Sequence, residues 1–346
     1  MTSLQHPLGT GFTPASTATD VLAGLDLTGL DVVITGGHTG LGREATRALT
    51  AAGASVTVGA RDPQRAAAAL AGTPRVQVDR LDLADPASVD AFADRYLASG
   101  RPLHVLIDNA GIMGGPLVRD ARGYESHLAT NHLGHFQLTV RLHPALRAAG
   151  RARVVSLTSG AHRLSDIRWD DPNFTTGGYT GHLGYAQSKT ANVLFAVELD
   201  RRWSPEGIRG YAVHPGIINT TNLGPARPAG AAPVAALPVE MLRAQGVIDE
   251  MGATVVDPAR GLKTVEQGAS TAVFAATSPL LDGIGGVYLR DNDISPVDAT
   301  PVPQEGLGDG PPITAVAPHA IDPVSARRLW ELSEQMLAVG AGVTGA

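Results

Sequence analysis

The chain contains no cysteine, and this absence excludes disulfide bridges, cysteine metal sites and thiol catalysis. It also lacks an excess of positive charge. The formal net charge is −6 and no basic block occurs, so nucleic-acid or anionic-membrane binding has no electrostatic footprint. No apolar run reaches about 18 residues, and the start of the chain lacks the basic-then-apolar pattern of a signal peptide. We therefore expect a soluble cytoplasmic protein with no membrane span and no nucleic-acid partner.

Short apolar segments alternate along the chain with alanine-rich segments of helical character. This alternation predicts a parallel sheet covered by helices on both faces, with ligands bound outside the carboxyl ends of its strands. With 43 % hydrophobic residues, the chain can bury a complete single-domain core. We expect an α/β, doubly wound sheet of about seven strands. The expected strands are 31–35, 55–59, 76–78, 104–107, 153–157, 210–213 and 286–289, and the expected helices are 43–52, 63–71, 86–98, 120–149, 185–203 and 262–277.

A glycine-rich turn joins the first expected strand to the first expected helix. Gly36 permits a tight turn, Gly40 lets the backbone approach a pyrophosphate, and Gly42 lets the helix pack closely on the strand. The free N–H groups and the positive end of the helix dipole suit phosphate groups. A P-loop is disfavoured because no Gly-Lys-Ser/Thr follows. The turn, including Thr39 and Leu41, is therefore predicted to bind a dinucleotide.

The end of the second expected strand distinguishes between the two nicotinamide dinucleotides. NAD-binding proteins usually place an acidic residue there, which bonds the ribose 2′-hydroxyl. Ala60 takes that place and Arg61 follows, and a guanidinium can pair with a 2′-phosphate through two hydrogen bonds. Asp62 is one position late for the NAD role, and can instead pair with Arg61 or start the next helix. Thr39 is not basic, so a second phosphate partner is missing. NADP(H) is favoured over NAD(H).

Tyr185 and Lys189 form the clearest candidate for chemistry. Residues four apart lie on one face of a helix, about one turn from each other. Free tyrosine has a pKa of about 10, and a nearby cation stabilises its phenolate. A decrease to a pKa of about 7 requires about 4 kcal/mol, which a partly desolvated charge pair can supply. The spacing therefore predicts an acid/base unit.

In this order and at these intervals, the motifs resemble the short-chain dehydrogenase/reductase family across residues 27–295. Within the family, the chain is most similar to the retinol-dehydrogenase-like branch, which includes protochlorophyllide-reductase relatives. The resemblance implies a Rossmann-type fold and hydride transfer from a nicotinamide cofactor. The family motifs are Thr35–Gly42, Asp108–Gly111, Asn131, Ser159, Tyr185 with Lys189, and Pro215-Gly216, and the branch motifs are Asn131–Phe136, Asp171–Phe174, Tyr185–Asn192 and Leu329–Glu334.

The resemblance also implies a role for each residue of the site. Tyr185 would donate a proton to a ketone or aldehyde oxygen, or accept one from an alcohol. Lys189 would lower the pKa of Tyr185 and bond the nicotinamide ribose, while Ser159 would hold the substrate oxygen. Asn131 would lie at a break in its helix and anchor water leading from Lys189 to solvent. Further cofactor contacts are implied for Asp82 and Leu83, for Asn109, Ala110 and Gly111, for Pro215 and Gly216, and for Thr220 at the nicotinamide carboxamide.

Two other kinds of site compete for these residues. A Ser-His-Asp hydrolase could use Ser159 with His162 or His214 as base, but no Gly-x-Ser-x-Gly elbow surrounds Ser159 and the glycine turn would be unexplained. A metal site could use some of the 11 histidines. His132 and His135 lie three apart without a carboxylate in a zinc-like pattern. We expect neither a hydrolase nor a bound metal.

Two extensions flank the expected domain at residues 27–300. Residues 1–26 are expected to be a loosely packed amino-terminal extension. Residues 301–346 are expected to be a proline-rich carboxyl-terminal extension that ends in a helix at 323–339. The family resemblance also implies a homodimer or homotetramer, formed through the helices that carry Asn131 and Tyr185.

Residues 217–262 correspond to the substrate lid of the family, and long loops often close active sites. We expect a helix at 238–251 within this lid. Its apolar side chains favour a lipophilic ketone, aldehyde or alcohol as substrate, although packing against the fold explains them equally well. Reduction of a carbon–carbon double bond is an alternative activity. A non-catalytic NADP(H)-sensing regulator is disfavoured, because such proteins commonly lose the tyrosine or the lysine.

Overall fold

The computed structural model describes residues 4–218, 220, 223–225, 239–244, 246–301 and 315–343. The strands in this part of the chain are β1 (Asp31–Thr35), β2 (Ser55–Ala60), β3 (Val76–Arg80), β4 (Val105–Asp108), β5 (Ala152–Leu157), β6 (Ile208–His214), β7 (Val287–Arg290) and β8 (Asp293–Ile294). They form one sheet in the order β3-β2-β1-β4-β5-β6-β7-β8, in which β1 to β7 are parallel and β8 is antiparallel to β7. The doubly wound α/β fold predicted from the sequence is confirmed.

Helices lie on both faces of this sheet. Those in the described residues are α1 (Ala18–Val21), α2 (Gly40–Ala51), α3 (Pro63–Ala69), α4 (Pro86–Ala98), α5 (Gly134–Ala148), α6 (Gly181–Trp203), α7 (Val239–Ala244), α8 (Val265–Thr277) and α9 (Pro323–Val343).

The central strand β1 shows why such apolar runs fold this way. Successive side chains of a strand point to opposite faces. Val32 and Ile34 pack into the core beneath α2 and α8, whereas Val33 packs into the core beneath α4 and α5. All three are at most 1 % exposed, as expected for a parallel strand that is covered on both sides. The strand order reverses between β1 and β4, so the binding crevice of such a fold opens at the carboxyl ends of these strands.

The expected helix at 120–149 is wrong over its first part. The Asp120 carboxylate accepts hydrogen bonds from the N–H groups of Arg122 and Tyr124 at 2.9 Å each, which closes a turn there. The helix begins with a π-helical segment at Leu128–Leu133, and α5 continues from it. A carboxylate that satisfies nearby backbone donors competes with helix formation, and the sequence periodicity did not reveal this.

The expectation that residues 1–26 are loosely packed is also wrong for the described part. The Gln5 amide donates to the carbonyl of Tyr288 at 2.8 Å and accepts from its N–H at 2.9 Å. The Asp293 carboxylate accepts from the N–H groups of Leu8 and Gly9. The amino-terminal extension therefore lies along the β7–β8 edge of the sheet.

The lid and the carboxyl-terminal extension are described in part. Helix α7 is shorter than the expected 238–251, because a turn with Gly246 in the left-handed region, at φ +61°, follows it. Residues 219, 221–222, 226–238, 245 and 302–314 lie outside the described residues. Helix α9 contains the expected helix 323–339 and packs against α6 and the π-helical segment through Leu329 and Met336. A homodimer through α5 and α6 stays a prediction, and it would have to use the surface that α9 leaves open.

Candidate active site

Tyr185 and Lys189 occupy adjacent turns on the buried side of α6. Helix α6 begins after Thr180, whose side-chain oxygen accepts the N–H of Leu183 and so caps the first turn. The side chains of Tyr185 and Lys189 are 7 % and 4 % exposed. The Lys189 Nζ lies 5.5 Å from the centroid of the Tyr185 ring and donates to the carbonyl of Leu157 at 2.9 Å. The helix therefore holds the pair against the carboxyl end of β5.

Burial dominates the titration of both groups. It raises the pKa of Tyr185 to about 12, although a hydrogen bond with the Ser159 side chain opposes this by lowering the pKa. Burial also lowers the pKa of Lys189 to about 7. The phenol is consequently protonated near neutral pH in the chain alone, as a proton donor must be. The expected decrease of this pKa by Lys189 stays a prediction.

Ser159 lies just beyond β5, at the end of the strand that pairs with both β4 and β6. Its hydroxyl accepts the N–H of Ala161 at 3.2 Å, and it lowers the pKa of Tyr185. The neighbouring Thr158 hydroxyl donates to the carbonyl of Lys189 at 2.7 Å. Strand end and helix are thus hydrogen-bonded to each other, which fixes the hydroxyl and the phenol at one place.

Asn131 lies in the π-helical segment, and its side chain is fully engaged. Its Oδ1 accepts the N–H of Ile112 at 2.8 Å, and its Nδ2 donates to the carbonyl of Ile112 and to the Ser188 hydroxyl. The Ser188 hydroxyl donates in turn to the carbonyl of Tyr185 at 2.7 Å. Asn131 therefore joins the turn after β4 to the helical turn that carries the phenol. The expected role of Asn131 in anchoring water stays a prediction.

His135, which the sequence analysis considered only as a possible metal ligand, contacts two predicted site elements. The Thr35 hydroxyl accepts the N–H groups of Asn109 and Ala110 at 2.9 Å each, so its own proton goes to Nε2 of His135, also at 2.9 Å. The proton of the imidazole is therefore on Nδ1, which donates to the carbonyl of Asn131 at 3.0 Å. Burial lowers the pKa of His135 to about 4 and keeps it neutral. The spacing of four residues from Asn131 was the available signal.

Two glycines of the glycine-rich turn lie close to neighbouring residues, which leaves little room for a side chain at either position. Gly36 has φ +66°, and a Cβ on it would lie 3.2 Å from the Cβ of Ala110. A Cβ on Gly42 would lie 2.5 Å from Nδ2 of Asn109 and 2.6 Å from the backbone oxygen of Gly36, too close for any side chain. Thr39 precedes α2 without a capping hydrogen bond from its side chain. Thr39, Gly40, Leu41 and Gly42 together form the start of α2.

Arg61 lies on the surface just after β2, and the structure gives it basic neighbours. Asp62 caps α3 by accepting the N–H of Arg65 at 3.0 Å. Of the two roles that the sequence left open for Asp62, the structure therefore shows the start of the next helix. Burial, then the positive charges of Arg65 and Arg61, lower the pKa of His38. The positive charges of Arg61 and Arg65 therefore act on the turn before α2, where the charge of Asp62 opposes them by raising the pKa of His38. Arg65 is a basic group that the sequence analysis missed, although it lies four residues after Arg61.

The residues expected around the adenosine line the same edge of the sheet. Asp82 and Leu83 follow β3, and the backbone of Leu83 packs against Gly134 at the start of α5, where a Cβ would collide with it. A Cβ on Gly111 would lie 3.2 Å from Oδ1 of Asn131. These positions join the adenosine side of the predicted site to the centre of the catalytic cluster.

The loop after β6 is only partly fixed by visible contacts. Pro215 and Gly216 follow the strand, and Gly216 has φ +93°. The N–H of Ile217 donates to the carbonyl of Gly261 at 2.8 Å, which anchors the loop at its start. Thr220 is exposed, and its neighbours at 219, 221 and 222 lie outside the described residues. Its contact with a nicotinamide stays a prediction.

Neither of the two histidines that a hydrolase could use as its base is placed to accept a proton from Ser159. Nδ1 of His162 lies 2.7 Å from the backbone carbonyl of Ser159, and Nε2 accepts the N–H of Ala317 at 3.1 Å. Both ring nitrogens are therefore taken by backbone groups. His214 is buried, and burial lowers its pKa well below the usual value. Among the described residues, no group of three or more His, Asp or Glu side chains could hold a metal ion.

Known proteins resemble this chain over most of its length. The sequence model described as short chain dehydrogenase matches residues 31–230. The chain belongs to this family. A Streptomyces lividans protein named Probable oxidoreductase is 44 % identical to it over 322 residues, which cover 91 % of this chain and 100 % of that protein. Human retinol dehydrogenase 12 is 33 % identical over 321 residues, which cover 91 % of this chain and 88 % of the human protein.

A solved structure extends the likeness to three dimensions. The crystal structure of an uncharacterized protein from Mycobacterium paratuberculosis superposes with a TM-score of 0.67 at 32 % identity, covering 93 % of this chain and 97 % of the other. The resemblance read from the motifs is confirmed: this short-chain dehydrogenase is an oxidoreductase with retinol-dehydrogenase-like relatives. None of its described helices is long and apolar enough to cross a membrane.

Replacing Thr35 by Val tests the buried hydrogen bonds that link Thr35 to Ala110 and His135 beneath the site. The variant keeps the shape of the side chain but leaves the N–H of Ala110 and Nε2 of His135 without their partner, so the free energy of unfolding should fall by about 1–3 kcal/mol. Thr57→Val is the matched control, because the Thr57 hydroxyl on the neighbouring strand accepts one long bond, 3.3 Å from Arg101. Urea unfolding measures both. An equal decrease in the free energy of unfolding of the two variants would contradict a stabilising role for the Thr35 hydrogen bonds.

Proposed function

We propose that this short-chain dehydrogenase interconverts a lipophilic ketone or aldehyde and its alcohol with NADP(H), and that Tyr185 is the general acid and base. The observation that carries the proposal is the meeting of Ser159, Tyr185 and Lys189 at the carboxyl edge of the sheet. The Ser159 hydroxyl lowers the pKa of the phenol, and Nζ of Lys189 lies 5.5 Å from the centroid of the phenol ring. A substrate oxygen between Ser159 and Tyr185 would receive two hydrogen bonds and a proton.

The residues of the glycine turn fit a dinucleotide. Side chains are excluded at Gly36 and Gly42 by the close approach of Asn109 and Ala110, so bare backbone borders the start of α2. The N–H groups of that first turn have no side-chain cap from Thr39, and they suit the pyrophosphate. When bound there, the cofactor supplies or accepts the hydride.

The protein residues would handle the proton. In the reduction direction, Tyr185 already carries the proton, because burial raises its pKa to about 12. In the oxidation direction, the phenol has to lose that proton, and two groups would stabilise the phenolate. The Ser159 hydroxyl would donate a hydrogen bond to the phenolate. Lys189, when it is protonated, would stabilise the phenolate by its positive charge. Both are needed because the buried surroundings otherwise disfavour an anion.

The charge around Arg61 supports NADP(H) over NAD(H). Arg61 and Arg65 both lower the pKa of His38 by their charge, so their positive charges act on the turn before α2, where the ribose of a bound dinucleotide would lie. The carboxylate of Asp62 raises the pKa of His38 and caps α3 through Oδ1. A 2′-phosphate would find positive charge there, whereas a 2′-hydroxyl would find a carboxylate with one oxygen engaged by the N–H of Arg65.

The lipophilic substrate rests on the relatives and on the described part of the lid. Retinol dehydrogenases are named for an apolar alcohol. In this chain the N–H of Met113 donates to the carbonyl of Gly224 at 2.9 Å, so the lid meets the turn after β4. Val239, Met251 and Val256 are exposed apolar side chains of the lid region. An apolar molecule entering beneath the lid would cover part of this surface.

Tyr185→Phe should abolish NADPH-dependent ketone reduction, with kcat lower by at least about 100-fold, since the proton donor is removed. The Kd of NADPH should stay within about two-fold. Steady-state kinetics on a panel of lipophilic ketones and fluorescence titration of NADPH measure the two quantities.

Tyr211→Phe is the control for Tyr185, because its buried hydroxyl donates to the carbonyl of Ile284 away from the site. Retained ketone reduction in Tyr185→Phe would contradict the mechanism. Turnover by the parent on carbon–carbon double bonds alone would favour the alternative reductase, and cofactor binding without turnover on either class would favour the sensor.

Arg61→Ala and Arg65→Ala should each weaken NADPH binding roughly 10- to 100-fold while leaving NADH binding nearly unchanged, because only NADPH carries the 2′-phosphate. Arg95→Ala serves as the control, since this exposed arginine pairs with Asp79. Fluorescence titration with both dinucleotides gives the Kd values. Equal weakening of NADPH and NADH would remove the basis for NADP(H) preference.

A further inference from the structure

The turn that carries Ser159 is held from behind by a histidine of defined tautomer. The N–H of Ala317 can only donate, so Nε2 of His162, 3.1 Å away, has to be the unprotonated nitrogen. The ring proton is then on Nδ1, which donates to the carbonyl of Ser159 at 2.7 Å. Burial lowers the pKa of His162 to about 3, so the ring stays neutral. One imidazole therefore links Ala317 to the backbone of Ser159.

The residue after this histidine holds the same part of the chain. The Arg163 guanidinium, whose side chain is 3 % exposed, donates to the carbonyls of Asp298 and Ala315 at 3.0 Å each and to that of Thr300 at 2.6 Å. It also pairs with the Asp298 carboxylate at 3.2 Å. A buried arginine with this many backbone acceptors needs all of them in place. Residues 298–300 and the carboxyl-terminal segment, defined here as residues 315–319, are therefore fixed against the Ser159 turn.

Helix α6 completes the enclosure of His162. The carbonyl of His162 accepts from the Thr190 hydroxyl at 2.9 Å, one position after Lys189, and from Nε2 of His319 at 3.0 Å. Its ring packs on that of Tyr288 with centroids 5.1 Å apart. The imidazole is 0 % exposed. It contacts the helix of the acid/base pair, the sheet and the carboxyl-terminal segment at the same time.

We propose that His162 is a positioning residue that fixes Ser159 for catalysis by binding it to the carboxyl-terminal segment. The inference rests on the proposed function, because it assigns Ser159 the task of holding the substrate oxygen against Tyr185. A hydrogen bond to the carbonyl of Ser159 sets the orientation of its extended backbone (φ −158°, ψ 158°) and hence the direction of the hydroxyl. Residues beyond the sheet would then form part of the active site.

Two substitutions separate the two bonds of the ring. Asn in place of His162 can put an amide N–H near the position of Nδ1 and keep the bond to Ser159, but it is too short to reach Ala317. Gln can put an oxygen near the position of Nε2 and keep the bond to Ala317, but it leaves the carbonyl of Ser159 with a single donor, the backbone N–H of residue 162 at 3.1 Å. We expect kcat to fall roughly 10- to 100-fold in His162→Gln and clearly less in His162→Asn, with the Kd of NADPH unchanged in both.

The titration of Tyr185 gives a readout that a general loss of stability does not move. The Ser159 hydroxyl lowers the pKa of the phenol, so a displaced hydroxyl should raise it. The pH at which alcohol oxidation reaches half its maximum should therefore shift upward in His162→Gln and much less in His162→Asn. Ultraviolet titration of the phenol, taken as the difference between each protein and its Tyr185→Phe form, follows the same ionisation without any substrate.

Ser333→Ala is the matched control. Its hydroxyl bonds His132 at 2.8 Å and so attaches α9 to the fold away from Ser159. This variant should lower Tm but leave kcat and the phenol titration unchanged. Wild-type kcat and phenol titration in His162→Gln would overturn the inference, as would equal effects in the Gln, Asn and Ser333→Ala variants. Absence of ketone turnover in the parent would count against the proposed function alone, because the phenol titration still decides the placement of Ser159.

Discussion

The removal of Tyr185 and Lys189 from water is the constraint on which the rest of this active site depends. A phenol and an ammonium that are almost completely buried lose much of their hydration, and burial shifts their pKa values in opposite directions, to about 12 and about 7. Each group is therefore pushed towards its neutral form. Any chemistry that needs a phenolate has to stabilise it with the few polar groups within reach, and the protein places those groups by hydrogen bonds to its backbone.

Buried polar groups around the pair follow from this constraint. Each such group costs free energy unless it has a partner, and here the partners link the elements that have to stay aligned. Asn131 joins the turn after β4 to α6, His135 joins β1 to the π-helical segment, and His162 joins the Ser159 turn to residues beyond the sheet. Two of these three links are neutral imidazoles. The tautomer of each is fixed by a backbone group that can only donate a hydrogen bond, the N–H of Ala317, or only accept one, the carbonyl of Asn131. They place the proton donors without adding a charge near the phenol.

Much of the fold could be predicted from the sequence, because parallel strands buried on both faces read as uninterrupted apolar runs. Val32, Val33 and Ile34 are an example. Strand ends could then be assigned to one edge of the sheet, and the resemblance to the short-chain dehydrogenase/reductase family assigned Ser159 and Tyr185 to one site. The two-residue strand β8 was too short to leave a periodic signal. The packing of Gln5 on Tyr288 joins opposite ends of the chain, so local sequence gave no sign of it.

The site could be predicted where the role of a side chain depends only on residues of the same helix or strand end, as for Tyr185 and Lys189. The roles of His135 and His162 depend instead on backbone groups that only the fold brings near, such as the N–H of Ala317. Residue type alone gave these histidines the appearance of a metal ligand or of a hydrolase base. Arg65 was missed because its relevance comes from the turn of α3, which Asp62 begins.

The central claim is that Ser159 and Tyr185 act as one hydrogen-bonded acid/base unit. The most direct test is the pH dependence of kcat for alcohol oxidation and for ketone reduction, compared between the parent and Ser159→Ala. In the parent, oxidation should rise and reduction should fall with pH through one shared apparent pKa. That pKa should be higher in Ser159→Ala, because the phenolate loses a hydrogen bond that stabilises it. An unchanged pKa in Ser159→Ala, or separate pKa values for the two directions in the parent, would contradict the account.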